Sequence, residues 1–274
     1  MQTITSKDNP KFKTALRLHD NRGRKQQGRI IVFGLAEIAR ALEAGVRFDG
    51  VFCRESDHED ALVSFAAMSG QARDSPETRF GCPIYLLPDS LFQKLSFGER
   101  GEGLIATASR PDTDLNGLSV RDDSLVLVLE AIEKPGNLGA VFRSAAGAGV
   151  SSIILADPVT DCFHPNAIRS SLGSIFAIDT YTGSSEQTKA CLVKHGFTTL
   201  TTRVDAEQVY FDVDMTGRTA IVLGNEARGL SDAWSGDFVS PVLVPMNKTI
   251  DSLNIAMTAT LMAYEARRQR DFAK

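Results

Sequence analysis

Apolar residues along this chain fall into short runs between polar turns, and strand-like runs alternate with stretches of helical spacing. Ile30, Ile31, Val32 and Phe33 read as a strand. Leu35, Ile38, Ala41, Leu42 and Val46 then recur at the spacing of one helix face, with Gly45 placed to stop that helix. Residues 51–53, 83–87 and 103–108 read as further strands, with a helix over 61–68. Residues 59–79 are loosely patterned and are expected to end in a loop around 70–78. The first half is therefore expected to be a small α/β domain over residues 1–108, followed by a Pro-, Asp-, Asn- and Gly-containing linker over 109–123.

From 124 onward the alternation is cleaner. Residues 124–129 form a near-continuous apolar run, as expected of a central parallel strand covered on both faces. A helix over 137–149, a strand over 152–156, a short helix over 165–172, and strands over 198–202, 219–223 and 239–244 follow. A long helix over about 252–270 closes the chain. Right-handed crossovers between such strands give a parallel sheet, so the second domain is expected to run over 124–274.

Composition places the chain among ordinary globular proteins, with 43% hydrophobic and 23% charged residues. No apolar stretch reaches the roughly 18 residues of a membrane span, and no secretory signal is read at the start, so a cytoplasmic protein without a membrane partner is expected. Cys53, Cys82, Cys162 and Cys191 are far apart and lack His at ligand spacing, which favours buried free thiols and no metal. The formal net charge of −4 hides an asymmetry: residues 1–30 carry eight basic residues against Asp8 and Asp20, a local +6. Lys7, Lys11, Lys13, Arg22, Arg24 and Lys25 form either a solvated helix face or an edge that contacts phosphates, whose neutralisation releases counterions.

Three segments mix Gly or Pro with polar side chains, each at the carboxyl end of a strand-like run, where open α/β sheets bind ligands. In the first, residues 135–143, Gly136 and Gly139 permit close backbone approach and Asn137 is placed to cap the next helix. Arg143 follows on a helix whose neighbours Ala140, Val141, Phe142, Ala145 and Ala146 are apolar, so a half-buried guanidinium in need of an anionic partner is expected. In the second, residues 224–230, Gly224 and Gly229 bracket Asn225, Glu226 and Arg228; Glu226 either orients an arginine or pairs with one structurally. In the third, Val244, Pro245 and Met246 lead to Ser252, Leu253 and Asn254 at a helix start, with Ser252 as the expected N-cap. Backbone amides beside apolar walls suit an adenine and its ribose. The third glycine of a dinucleotide fingerprint is missing, and no phosphate-binding glycine loop precedes Lys248-Thr249.

Together these motifs resemble the SpoU family of S-adenosylmethionine-dependent RNA ribose methyltransferases, within the SPOUT superfamily. The resemblance rests on Asn137-Leu138-Gly139 with Arg143, on Gly224-Asn225-Glu226 with Gly229-Leu230, and on Val244-Pro245-Met246 with Ser252-Leu253-Asn254. Arg169 to Gly173 is similar to a further family stretch. The resemblance implies an α/β protein with a carboxyl-terminal, trefoil-knotted parallel-sheet domain, and a smaller amino-terminal, ribosomal-protein-like α/β domain that binds RNA through Lys7, Lys11, Lys13, Arg22, Arg24, Lys25 and, from the later stretch, Arg169. It implies S-adenosylmethionine as cofactor, bound by Leu223, Gly224, Asn225, Gly229, Val244, Pro245, Met246 and Leu253, and a homodimer through the last helix (Leu253, Met257, Leu261, Met262). Arg143 corresponds to the catalytic arginine, with Asn137, Glu226, Ser252 and Asn254 positioning it and the substrate, and no metal. Ala227 stands where many relatives have Gly.

The expected reaction is methyl transfer to a ribose 2′-hydroxyl, most readily in ribosomal RNA. Arg143 acts there as a charge stabiliser or, in an unusual pocket, as a base. Alternatives are a tRNA substrate, methylation of a base, a non-catalytic RNA-binding member of the fold, and an unrelated nucleotide enzyme.

Overall fold

The computed structural model describes residues 1–68, 78, 80–97, 103–225, 227–247 and 249–272. The loop expected around 70–78 falls outside these apart from Thr78. The chain forms two compact units: Met1–Pro111 with Phe163–Ala177, and Asp112–Cys162 with Ile178–Lys274.

In the first unit a mixed sheet has the order β1 (Gln2–Thr3), β4 (Ile84–Leu87), β3 (Phe48–Arg54), β5 (Leu104–Ser109), β2 (Arg29–Phe33). β5 runs antiparallel to β3 and β2, whereas β1, β4 and β3 are parallel. The basic opening folds into α1 (Pro10–Leu16) and α2 (Asn21–Gln27), and α3 (Leu35–Glu43), α4 (His58–Met68) and α5 (Asp89–Leu95) follow. Asn9 starts α1: its Oδ1 accepts from the Lys11 amide at 2.9 Å, and Pro10 occupies the first turn, where a missing N–H costs nothing. Phe12 and Leu18 pack on Ile31, Phe52, Phe92 and Leu95 in the core of this unit.

That packing splits the basic cluster. Lys7, Lys11, Arg22 and Lys25 are exposed, and Lys13 is exposed beside Asp8 at 2.7 Å. Arg24, expected as an RNA contact, is fully buried: its Nη1 donates to the Leu18 and His19 carbonyls at 2.9 and 2.8 Å. The guanidinium satisfies carbonyls at the end of a helical turn, which would otherwise be orphaned in the interior.

Residues 163–177, expected in the second unit, pack with the first. They follow α6 (Pro135–Ala148) and open with α7 (Pro165–Ser170), which is capped by His164, whose Nδ1 accepts from the Asn166 amide at 3.1 Å. Leu172 and Gly173 then take φ values of 52° and 78°. A Cβ at Gly173 would lie 2.9 Å from the Glu37 Cα, so the turn lies flat on α3, where the Arg40 guanidinium donates to the Leu172 carbonyl. Arg169 is half-buried and donates to the Phe97 carbonyl at 3.1 Å.

The second unit is a six-stranded sheet, parallel throughout, in the order β11 (Val239–Val242), β9 (Thr198–Thr202), β10 (Thr219–Leu223), β6 (Leu125–Glu130), β7 (Ser152–Ala156), β8 (Asp179–Gly183). β6, β7 and β10 are buried along their whole length, as their unbroken apolar runs require. Val126, Val128, Ala220, Val222 and Trp234 form a core cluster. The edge strand β8 is not among the expected elements, because Asp179, Thr180, Thr182 and Gly183 hide its pattern. The helix after it, α8 (Ser185–Lys194), starts with a reciprocal cap between Ser184 and Gln187.

Three helix starts differ from expectation: α4 begins at His58 rather than at 61, and the other two lie beside the candidate segments. α6 begins with Lys134 as cap and Pro135 in its first turn, so Asn137 lies inside the helix. α9 (Ile255–Phe272) is capped by Asn254, not Ser252: Asn254 Oδ1 accepts from the Ala256 amide at 2.9 Å. α6 and α9 pack closely. Thr260 Oγ1 donates to Ser144 Oγ at 2.7 Å, and a Cβ on Gly147 would lie 2.8 Å from the Tyr264 hydroxyl. Met262, expected at a subunit interface, is fully buried in this packing, while Met257, Leu261 and Tyr264 are exposed.

All four cysteines are free thiols. Cys53, Cys82 and Cys162 are buried and Cys191 is half-buried; burial pushes Cys53 and Cys82 up to about 12. No helix among the described residues is long and apolar enough to cross a membrane. Leu127, at the centre of β6, is fully buried. Its replacement by Ala is expected to cost about 2–5 kcal/mol, read as a lower urea midpoint with an unchanged denaturant slope.

Candidate active site

The carboxyl ends of β9, β10 and β11 lie side by side, and the loops leaving them enclose a cavity of about 510 Å³. β9 contributes Thr202, Arg203, Val204 and Asp205; β10 contributes Leu223, Gly224, Asn225, Arg228, Gly229 and Leu230. The chain after β11 contributes Leu243, Val244, Met246, Asp251, Ser252 and Leu253, and α9 closes it with Ile255 and Thr258.

The β10 loop owes its shape to two glycines. A Cβ on Gly224 would lie 2.4 Å from the Gly229 carbonyl carbon and 2.6 Å from the Leu230 nitrogen, so only glycine admits this approach. Gly229 supplies the left-handed turn, with φ of 70°. Asn225 and Gly229 exchange two backbone hydrogen bonds, at 3.1 and 2.8 Å. The Asn225 side chain then holds the loop from within. Its Oδ1 accepts from the Ala227 and Arg228 amides at 2.9 and 3.3 Å, and its Nδ2 donates to the Ala131 carbonyl at 3.0 Å and to Glu133 Oε1 at 3.1 Å. Asn225 thus builds the wall, with its polar atoms turned into the loop.

Electrostatically the cavity is mixed. Leu223, Leu230, Leu243, Val244, Met246 and Ile255 give it apolar walls, while Arg203, Arg228, Asp205 and Asp251 stand at its polar parts. Arg203 Nε donates to Asp205 Oδ1 at 3.1 Å, and this hydrogen bond, with the guanidinium charge, holds the Asp205 carboxyl below the usual carboxylate range. Val244, Met246, Ser252 and Leu253 make no hydrogen bond to any described residue, so their polar groups remain available to a ligand.

Of the residues expected around a cofactor, Leu223, Gly224, Asn225, Gly229, Val244, Met246 and Leu253 line the cavity, and Ser252 joins them; Pro245 does not. Arg143, Asn137 and Asn254 are not in the lining. Arg143 is exposed on α6 and has no partner among the described residues, so the half-burial expected from its neighbours is not found. Val141, Phe142 and Ala145 are buried and turn Arg143 out by helical geometry. Asn137 is half-buried in the first turn of α6. Glu226 lies outside the described residues. Residues 202–205 carry no motif that marks them in the sequence, although the strand leading into them is legible; a parallel neighbour of β10 necessarily brings its own carboxyl end to the same edge.

The family model described as the SpoU rRNA methylase family matches residues 124–264, and that of an MRM3-like substrate binding domain matches 9–106. The chain belongs to the SpoU rRNA methylase family. The 23S rRNA (uridine(2479)-2′-O)-methyltransferase of Streptomyces viridochromogenes is 31% identical over 97% of this SpoU chain and 92% of that protein. A crystal structure of an RNA 2′-O ribose methyltransferase is 32% identical, covering 98% of this chain and 99% of that one with a TM-score of 0.79. The SpoU methyltransferase AviRb from Streptomyces viridochromogenes, in complex with AdoMet, is 27% identical, covering 96% and 98% with a TM-score of 0.83. The SpoU resemblance read from the three motifs therefore holds.

The donor set fits S-adenosylmethionine. Apolar walls suit an adenine, unengaged backbone groups suit its edge, and Asp205 and Asp251 suit ribose hydroxyls and a cationic tail. In this SpoU protein, Gly224→Ala should force the β10 loop open. Backbone strain of about 1–3 kcal/mol corresponds to about fivefold to 150-fold in Kd, expected as weaker S-adenosylhomocysteine binding by titration calorimetry.

Proposed function

We propose that the protein transfers a methyl group from S-adenosylmethionine to a ribose 2′-hydroxyl of 23S ribosomal RNA. The observation that carries this reading is the single cavity built jointly by the second and third motif segments, with the glycine pair 224/229 at its wall. Full-length similarity to enzymes named for 23S rRNA favours that RNA over tRNA.

The cofactor supplies an electrophilic methyl on a sulfonium. What remains for the chain is to present the hydroxyl in line, to stabilise charge as its proton leaves, and to exclude competing nucleophiles. Arg143, exposed and unpaired among the described residues, is free to bind the phosphate beside the target ribose and to stabilise the developing oxyanion. Its guanidinium is fitted to this by permanent charge and a planar donor fork. Asn137, Glu226, Ser252 and Asn254 position substrate and arginine; Ser252 does so from the cavity, and Asn254 by fixing the start of α9. No metal enters the scheme.

Residues 1–108 hold the RNA through Lys7, Lys11, Lys13, Arg22 and Lys25, all exposed; 109–123 link them to the methyltransferase domain over 124–274, of which residues 163–177 pack with the first unit. The carboxyl-terminal domain carries the trefoil knot of its family and pairs as a homodimer through α9, where the exposed row Met257, Leu261 and Tyr264 at successive turns supports such an interface. The protein works in the cytoplasm, where ribosomal RNA is matured.

The test is transfer of tritiated methyl to unmodified 23S rRNA and to tRNA, followed by digestion to nucleosides. Label in a 2′-O-methylnucleoside from 23S rRNA is expected. Arg143→Ala should lower the rate by about a hundredfold without changing S-adenosylhomocysteine binding; a full rate in the folded variant would sink the assignment. Replacing Arg22 and Lys25 together by Ala should weaken RNA binding. The slope of log K against log salt should fall by about 0.7–0.9 for each phosphate that is no longer neutralised, measured by filter binding across a salt series.

A further inference from the structure

At the carboxyl end of β6 stands a carboxylate that no motif includes. Glu130 is 4% exposed and pairs in register with Ala156 of β7. Its Oε1 accepts from the Ser231 hydroxyl at 2.6 Å and from the Ser185 hydroxyl at 2.6 Å, and its Oε2 accepts from the Ser231 amide at 2.8 Å. None of these donors is a cation. A buried carboxylate held by neutral donors alone is costly unless every bond is well made, and three short bonds meet that demand.

The location of the bonds gives them a function. Ser231 directly follows Gly229 and Leu230, which line the cofactor cavity, and it precedes the short turn Asp232–Trp234. The other end of the same loop is fastened one residue past the end of β6, where the Ala131 carbonyl accepts from Asn225. Ala131 itself takes a left-handed φ of 50°, which L residues rarely adopt, and its amide donates to the Ala156 carbonyl at 2.9 Å. The tip of β6 therefore grips both ends of the loop over residues 225–231. Ser185 completes the brace: its amide donates to Asp157 Oδ2 at 2.8 Å, which ties the loop after β7 to the same carboxylate.

The geometry points to Glu130 as a positioning residue for cofactor binding. It does not line the cavity; it acts by fixing Ser231, the residue next to the lining residues Gly229 and Leu230. This inference rests on the methyltransferase reading and adds to it a residue outside the three motifs. A glutamine at the same place can keep the geometry, since its oxygen accepts from the Ser231 amide while its NH₂ donates to both hydroxyls, each of which can turn to accept. An alanine cannot.

The experiment compares Glu130→Ala, Glu130→Gln and Ser231→Ala with the parent protein. The readouts are the Kd for S-adenosylhomocysteine, the Kd for 23S rRNA, the KM and kcat of methyl transfer, and the emission of Trp234, the chain's one tryptophan, which is fully buried three residues beyond Ser231. In Glu130→Ala the Kd for S-adenosylhomocysteine and the KM for the cofactor should rise by about tenfold, with RNA binding unchanged and Trp234 emission shifted to the red. Glu130→Gln should restore both, and Ser231→Ala should weaken cofactor binding by about threefold. A folded Glu130→Ala protein with the parental Kd would overturn the inference, as would a glutamine variant no better than alanine. Where Glu130→Ala does not fold, Ser231→Ala decides: parental cofactor binding with unchanged emission overturns it. A parent protein that binds no S-adenosylhomocysteine and methylates no RNA would instead remove the methyltransferase reading and this inference with it, whereas a defect confined to the variants supports the inference.

Discussion

The cavity depends on one close approach of backbone to backbone. Where Gly224 meets Gly229 there is no room for a single methyl group, and the chain between them must double back on itself. Two reciprocal hydrogen bonds between Asn225 and Gly229 close that turn, and the Asn225 side chain fills it. The polar side chain is consumed in making the wall, which leaves the ligand to the apolar faces and to backbone groups of the loop after β11. The charged groups Arg203, Asp205, Arg228 and Asp251 stand beside those apolar faces, and the precision of the site comes from the rigidity of its frame.

The frame is the parallel sheet. Because β9, β10, β6 and β7 all run the same way, their carboxyl ends meet at one edge, and loops far apart in sequence converge there. β6 is buried along its whole length, so its end is among the least movable points in the unit. That is where Glu130 and Ala131 hold the β10 loop, and where α6 departs with Arg143 facing out. The same strand thus positions the cavity wall and the helix that carries the proposed catalytic arginine.

The sequence revealed the strands well where burial on both faces leaves an unbroken apolar run, as in 124–129 and 219–223, and the motif glycines and prolines marked the loops that build the cavity. It concealed β8, whose threonines satisfy an edge position without apolar alternation, and α8, although Ser184 and Gln187 stand at capping spacing. Helix starts were displaced by two or three residues because several candidates compete locally. Ser252 and Asn254 both suit an N-cap, and the packing of α9 on α6 selects Asn254. Burial of individual charges was the least legible property. Nothing in the run of basic residues distinguishes Arg24, which lies inside the protein, from Arg22 and Lys25, which lie outside; the difference arises from which face of α2 turns toward the Leu18 and His19 carbonyls. Arg143 misled in the opposite direction, its apolar neighbours being buried while it is not.

The central claim is that the cofactor occupies the cavity between the ends of β9, β10 and β11. Amide hydrogen exchange with and without S-adenosylhomocysteine tests it most directly, since it reports each loop separately. Slower exchange on binding is predicted over residues 202–205, 223–230 and 243–253, with no change over residues 9–27. Protection that bypasses those three segments and appears elsewhere in the chain would contradict the account.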